Sequence, residues 1–339
     1  MGVSRFVNGL VFNAFLLTTD YWLPSTPFPH PTPIMSISTR ELKTYTSFAR
    51  RFAGKFVRDR IEEGRIPVLP APHRPEPSTW SDERLTAAWL GHATVLINFY
   101  GTWLLTDPAL RLRVGLRVGV LTLGPRRLVQ PALGVKELPP LDAVLVSHAH
   151  MDHTDLGTLR RLPRRTRAVV QEGNGDLVRR FARVDELKWG EATEVNGARV
   201  EAIEVNHWGA RKLTDRHRGY GGFLVEKRGR ALVFGGDTAY TDAFARLRRR
   251  ATRVTLAMLP IGAYDPYVNV HANPEQSWRM AREMGAEYIL PMHHSTFRLS
   301  REPADEPRQR ILAAAGAEEW RVALTEIGQT WVLPEERGR

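Results

Sequence analysis

The sequence predicts a sheet-based protein of mixed α/β (α+β) structure. Three observations carry that expectation. From about Thr86 onward, short runs rich in β-branched and aromatic residues alternate with segments of helical spacing. Polar and titratable residues collect where the apolar runs end, as they do when strands feed loops on a rigid scaffold. No stretch of about 20 apolar residues occurs, so a membrane-spanning helix is not expected.

Taken in order, AAWLGHATVLINF (87–99) and TWLLTD (102–107) read as two strands joined by a turn around Tyr100 and Gly101. The short apolar strand DAVLVS (142–147) runs straight into a histidine-rich turn. RAVVQ (167–171), RVEAIEVNH (199–207), GGFLVEK (221–227) and ALVFGG (231–236) follow as strands. TLAMLPIG (255–262), YILPMHH (288–294) and GQTWVLP (328–334) complete the set. Helical spacing appears at 156–162, 174–182, 242–250, 273–285 and 306–316. The Asn-Pro and Glu-Pro starts of the last two put proline in the first turn, where its missing N–H is no loss. Strands interleaved with helices bury their apolar faces by stacking in layers.

Residues 1–80 read as an extension and 81–339 as the main domain. In RFVNGLVFNAFLL (5–17), Phe6, Val7, Leu10, Val11, Ala14 and Phe15 fall near helical spacing. Such a helix suits a membrane interface, the protein's own core or a second subunit in a homodimer. Proline-rich links at 23–33 and 67–77 flank a basic helical stretch at 39–64. The formal charge of +11, carried mostly by arginine, favours anionic partners such as phospholipid headgroups, nucleic acid or phosphorylated small molecules. The absence of cysteine excludes disulfides, thiolate metal ligation and a cysteine nucleophile.

The chemistry concentrates in SHAHMDH, Ser147 to His153. His148, His150, Asp152 and His153 alternate there with small or apolar residues. Neutral imidazole suits zinc and also admits iron or manganese, while a carboxylate offsets the charge. One turn cannot complete two sites, because each zinc takes about four ligands. His207, Asp237 and His293 each close an expected strand and are the candidates for the remaining positions.

HAHMDH, then His207, then GGDTAY, then a histidine after a late strand, resembles the metallo-β-lactamase fold superfamily. WLGHATVLI, LLTDPAL, ELPPLDAVLVSHAHMDH, LPIGAYDP, HANPEQS and HHSTF look like the branch containing N-acylphosphatidylethanolamine-hydrolysing phospholipase D. The resemblance covers roughly residues 86 to 300. It implies a four-layer αββα sandwich, with 81–339 as a hydrolase domain. It implies that His148, His150 and His207 bind one metal and that Asp152, His153 and His293 bind the second. Asp237 would bridge the two ions, with a water or hydroxide between them. The related phospholipases read His-Trp-Gly-Thr-Phe near the end, where this chain has His293-His294-Ser295-Thr296-Phe297. His293 aligns with the ligand, and His294 is the alternative.

Asp152 and His271 are assigned to the chemical step, His271 as a substrate contact or proton donor. Asp107 is expected to orient a ligand histidine, and His92 to do likewise or to bond backbone. Tyr264 is expected to line the pocket. The segment 109–127 reads either as an arginine-lined acyl groove or as an edge strand. The expected activity is hydrolysis of a phosphodiester in an N-acyl phospholipid or another anionic lipid, in the cytoplasm or peripherally on a membrane. A soluble lactonase or small-molecule phosphodiesterase is the alternative. A nuclease is disfavoured because no separate clamp domain is evident, and a non-catalytic scaffold because every ligand position is filled.

Overall fold

The computed structural model describes residues 64–335, apart from 120, 213, 214, 216, 251 and 252. The chain divides into Met1–Val68 and Leu69–Arg339. The expected N-terminal helix, the first proline-rich link and the basic stretch up to residue 63 lie outside the described residues. No helix among the described residues is long and apolar enough to cross a membrane.

Among the described residues of the second unit, fifteen strands follow one another. The first eight are β1 (Leu85–Gly91), β2 (Thr94–Phe99), β3 (Thr102–Thr106), β4 (Leu116–Val118), β5 (Leu121–Leu123), β6 (Ala143–Val146), β7 (Arg167–Gln171) and β8 (Val184–Leu187). The rest are β9 (Ala192–Val195), β10 (Ala198–Ile203), β11 (Gly222–Lys227), β12 (Arg230–Phe234), β13 (Val254–Pro260), β14 (Tyr288–Met292) and β15 (Thr330–Val332). The α-helices are α1 (Leu156–Leu159), α2 (Gly175–Val178), α3 (Ala243–Arg250), α4 (Pro274–Glu283) and α5 (Glu306–Ala315). One sheet has the order β15-β1-β2-β3-β6-β7-β8 and the other β14-β13-β12-β11-β10-β9. The chain forms antiparallel hairpins first in each sheet and parallel pairs afterwards, from β3 to β6, β7 and β8 and from β12 to β13 and β14, before β15 returns antiparallel to β1.

Alternation along the second sheet shows how the layers stack. Phe223, Val225, Leu232, Phe234, Leu256, Met258, Leu290 and Met292 join the first sheet's apolar residues in one core. Their neighbours Leu224, Ala231, Val233, Ala257, Leu259 and Ile289 face the other way, onto Phe244 and Leu247 of α3, Trp278 and Met280 of α4 and Ile311 of α5. Leu159, Leu162, Val178 and Phe181, in and after α1 and α2, pack on the first sheet. The result is the αββα sandwich. Removing each large core side chain from water contributes about 1.5–3 kcal/mol. The Asn-Pro signal marks a true helix start: Asn273 accepts from the Gln276 N–H at 2.9 Å, and Gln276 Oε1 accepts from the Asn273 N–H at 3.1 Å.

Two expectations change. The run 87–99 is two strands, because Gly91 (φ 110°) and His92 (φ 57°) reverse the chain between β1 and β2. Both strands are buried on both faces, so no alternation of polar and apolar residues marks where one ends and the next begins. Within 109–127 the chain makes a separate two-stranded ribbon, β4 with β5, that belongs to neither large sheet.

Candidate metal centre

The turn after β6 is wound tightly by its own groups. The Thr154 N–H donates to His150 O at 2.8 Å, the His153 N–H to the same oxygen at 3.2 Å, and the Thr154 hydroxyl to His148 O at 2.6 Å. Asp155 then caps α1 by accepting from the Gly157 and Thr158 N–H groups. A strand end and a helix start within ten residues leave the side chains of His148, His150, Asp152 and His153 crowded together. His148 Nε2 lies 2.8 Å from His150 Nδ1.

Three other strand ends complete the cluster. Beyond β10, His207 Nδ1 donates to Val270 O at 2.9 Å, which turns Nε2 towards His150 Nδ1 at 3.3 Å. Beyond β12, Gly236 adopts φ 57°, and a Cβ there would stand 2.6 Å from Ser147 Cβ. Glycine therefore lets β12 come close enough to deliver Asp237 beside the histidine turn. Asp237 Oδ2 lies 3.0 Å from His153 Nε2, 3.2 Å from His293 Nε2, 3.8 Å from His207 Nε2 and 3.9 Å from His148 Nε2. Beyond β14, His293 takes φ 64° and its N–H donates to His92 O at 3.0 Å. That left-handed residue sends His293 inward and His294 away. The His294 ring sits 4.5 Å from Trp89, with Nδ1 2.8 Å from Ser295 Oγ.

Among the described residues four groups place ligand atoms within 4.8 Å of one another: two of four members, the set His148, His150, His207 and Asp237 and the set His92, Asp152, His153 and His293, and two smaller ones, Asp107, His148 and His153, and Asp237, His271 and His293. Asp237 belongs geometrically to both sets of four, since its Oδ2 also reaches His153 and His293. Either set of four could hold a divalent cation. The fit is supported by atoms that the protein leaves unsatisfied: His153 Nε2, His293 Nε2 and Asp237 Oδ1 are buried without a hydrogen-bond partner, and both nitrogens face Asp237. A native interior keeps few such atoms, and their convergence on one point matches a metal's demand for several nitrogen and oxygen donors.

Charge divides the imidazoles. Burial and the neighbouring imidazoles push His148 well down, and His150 down to about 3. For His153, burial opposes the charged form but Asp237, Asp152 and Asp107 outweigh it and hold the pKa well up. The same contest, won by Asp237 and Asp152, raises His293 to about 9. Burial resists ionisation of Asp152 and Asp237, yet the imidazoles around each hold both well below the usual carboxylate range. The pocket is built to keep two carboxylates ionised against positive charge.

Asp107 lies behind the cluster. Its Oδ2 sits 2.6 Å from His153 Nδ1 and accepts from the Ser147 hydroxyl at 2.5 Å; Ser147 Oγ in turn lies 2.8 Å from His148 Nδ1. One carboxylate thus orients two imidazoles and leaves their Nε2 atoms facing inward. His92, fully buried, places Nε2 3.0 Å from Asp152 Oδ2, and burial pushes it down to about 3. His271 Nδ1 is 3.7 Å from Asp237 Oδ2. Tyr264 donates its hydroxyl to Glu306 at 2.7 Å, so that hydroxyl is tied to α5 rather than to the cluster. The sequence reading passed over Trp208, whose half-exposed ring lies 4.2 Å from His150, and Arg211, which bonds the histidine turn from outside. Their only signal was proximity in the chain to His207.

Comparisons with known proteins agree with this fold. A family model described as the beta-lactamase superfamily domain matches residues 102–294. An uncharacterized protein of Mycobacterium tuberculosis is 34% identical over 256 residues, covering 73% of this chain and 68% of the relative. The N-acyl-phosphatidylethanolamine-hydrolyzing phospholipase D 1 of Caenorhabditis elegans is 28% identical over 275 residues, 74% of this chain and 76% of its own. Among solved structures, a metallo hydrolase from the archaeon Ignicoccus hospitalis superposes with a TM-score of 0.56 at 19% identity, covering 74% of this chain and 99% of that one.

Proposed function

The chain belongs to the beta-lactamase superfamily, a metal-dependent hydrolase of that fold, and from this premise we infer that it cleaves a phosphodiester bond in an N-acyl phosphatidylethanolamine or a related phospholipid. The observation that carries the reading is the reach of Asp237 into two sets of side chains that could each hold a metal ion. His148, His150 and His207 would hold one divalent cation and Asp152, His153 and His293 the other, with Asp237 common to both. The nitrogen-rich donors favour zinc. When bound, such a pair makes water nucleophilic at neutral pH and draws charge from a phosphoryl oxygen.

The chain's own residues do the rest. Asp107 and Val270 O fix which imidazole nitrogen of His153 and His207 faces inward. Asp152 stays ionised beside the reacting group, and His92 steadies its carboxylate. His271 stands at the rim as the contact for a substrate oxygen. Hydrolysis adds water across the P–O bond: the phosphorus keeps the new hydroxyl, and the N-acylethanolamine leaves with a proton. The activity for which the Caenorhabditis relative is named supports the lipid assignment.

A substrate panel tests it. Purified protein is given N-acyl phosphatidylethanolamine, phosphatidylcholine, a simple aryl phosphodiester and a lactone, and products are separated by mass. The expected result is phosphatidic acid and N-acylethanolamine from the first, at the highest kcat/KM of the panel. Preferred turnover of the lactone, with the phosphodiesters untouched, would replace this reading with the lactonase one.

A further inference from the structure

Resting on the metal-site reading, we propose that Arg211 is a positioning residue whose guanidinium, reaching back from the loop after His207, fixes the shape of the turn that carries His148, His150, Asp152 and His153. Its Nη1 donates to Ala149 O at 2.8 Å and to Thr154 O at 2.9 Å. Ala149 sits between two of the candidate ligands, and Thr154 follows a third; both residues are fully buried. The turn's internal bonds occupy the carbonyls of His148 and His150. They do not serve those of Ala149 and Thr154, which Arg211 meets from outside. One nitrogen therefore clamps the turn at both ends. It also ties the loop that brings in His207 to the turn that brings the other four side chains.

The role is geometric rather than electrostatic attraction. A cation beside a metal centre works against metal binding, so a guanidinium is useful here only for the bonds it makes. Burial pushes Arg211 down to about 10, so it remains a cation at neutral pH, and Asp155 and Asp152 offset part of its charge. Lysine carries its donors on a different stem as a mobile point charge, a poor replacement for a planar fork.

Zinc affinity, measured by competition with a coloured chelator well below the melting temperature, tests the proposal alongside Tm of the metal-free protein. Arg211→Met is expected to weaken zinc binding about 10–100-fold, the usual effect of losing a group that orients ligands, with Arg211→Lys in between. Arg180→Met is the control. Arg180 Nη1 makes the same kind of paired bond, to Leu159 O at 2.7 Å and Leu162 O at 2.6 Å, at the end of α1. Its loss is expected to lower Tm and leave zinc affinity at the wild-type value. Wild-type zinc affinity in Arg211→Met, or an equal loss in Arg180→Met, overturns the proposal while leaving the metal site standing. A wild-type chain that takes up no zinc overturns both. If Arg211→Met does not fold, Arg211→Lys decides: weakened affinity supports the clamp, and unchanged affinity ends it.

Discussion

Asp237→Ala should abolish hydrolysis, lowering kcat/KM by about 10³-fold or more and removing at least one metal ion per chain. No other side chain in the cluster has the reach of this one. A single oxygen, Oδ2, stands within 3.9 Å of imidazole nitrogens delivered by the ends of β6, β10 and β14, and the whole residue is buried. Without it, each candidate site loses a shared anionic ligand. His153 and His293 also lose the carboxylate that does most to hold their pKa values up. His153 keeps Asp152 and Asp107, and His293 keeps Asp152, but with the largest compensating charge gone both pKa values should fall and the empty site should loosen. Turnover and metal content of the variant, measured on the same preparation, check this. Wild-type turnover with full metal content would mean that Asp237 does not bridge.

The second large effect is expected at His271. Its side chain is 14% exposed, whereas those of His148, His153, His207 and His293 are at most 1% exposed. Together with His150, which is also partly exposed, it is an imidazole near Asp237 that an arriving substrate can touch. Burial, helped by His207, His293 and His150 against the pull of Asp237, holds its pKa well below the ordinary value. Below that depressed value the ring would be a cation; above it the ring is neutral. At neutral pH it is therefore uncharged and can act as an N–H donor, and no change in rate around neutrality should trace to it. His271→Ala should lower kcat about 10²–10³-fold, the cost of one lost transition-state hydrogen bond, with metal content intact. A fall in metal content with the rate would make His271 a ligand instead, and a near-wild-type kcat would make it structural.

The histidine turn was readable because metal chemistry demands particular side chains at short spacing, and because apolar strands announce their own ends. The layers were readable for a similar reason: β6, β7 and β13 are mostly apolar and buried along their whole length. β8 and β9 were not seen. Each lies at the edge of its sheet and carries Val-Asp-Glu-Leu or Ala-Thr-Glu-Val, where charge guards an open edge and masks the strand. The choice between His293 and His294 turned on one left-handed backbone residue, which two adjacent histidines cannot reveal. Arg211 escaped notice because its partners are main-chain carbonyls, present at every position and marked by none. Tyr264 was placed by its motif near the pocket, but Glu306, far along the chain, takes its hydroxyl.

Metal analysis of the purified wild-type chain bears most directly on all of this. About two divalent ions per chain, removable by chelator with loss of hydrolysis and restored together with it, is the expected result. A folded chain that holds no tightly bound metal, and whose hydrolysis is indifferent to chelator, would contradict it.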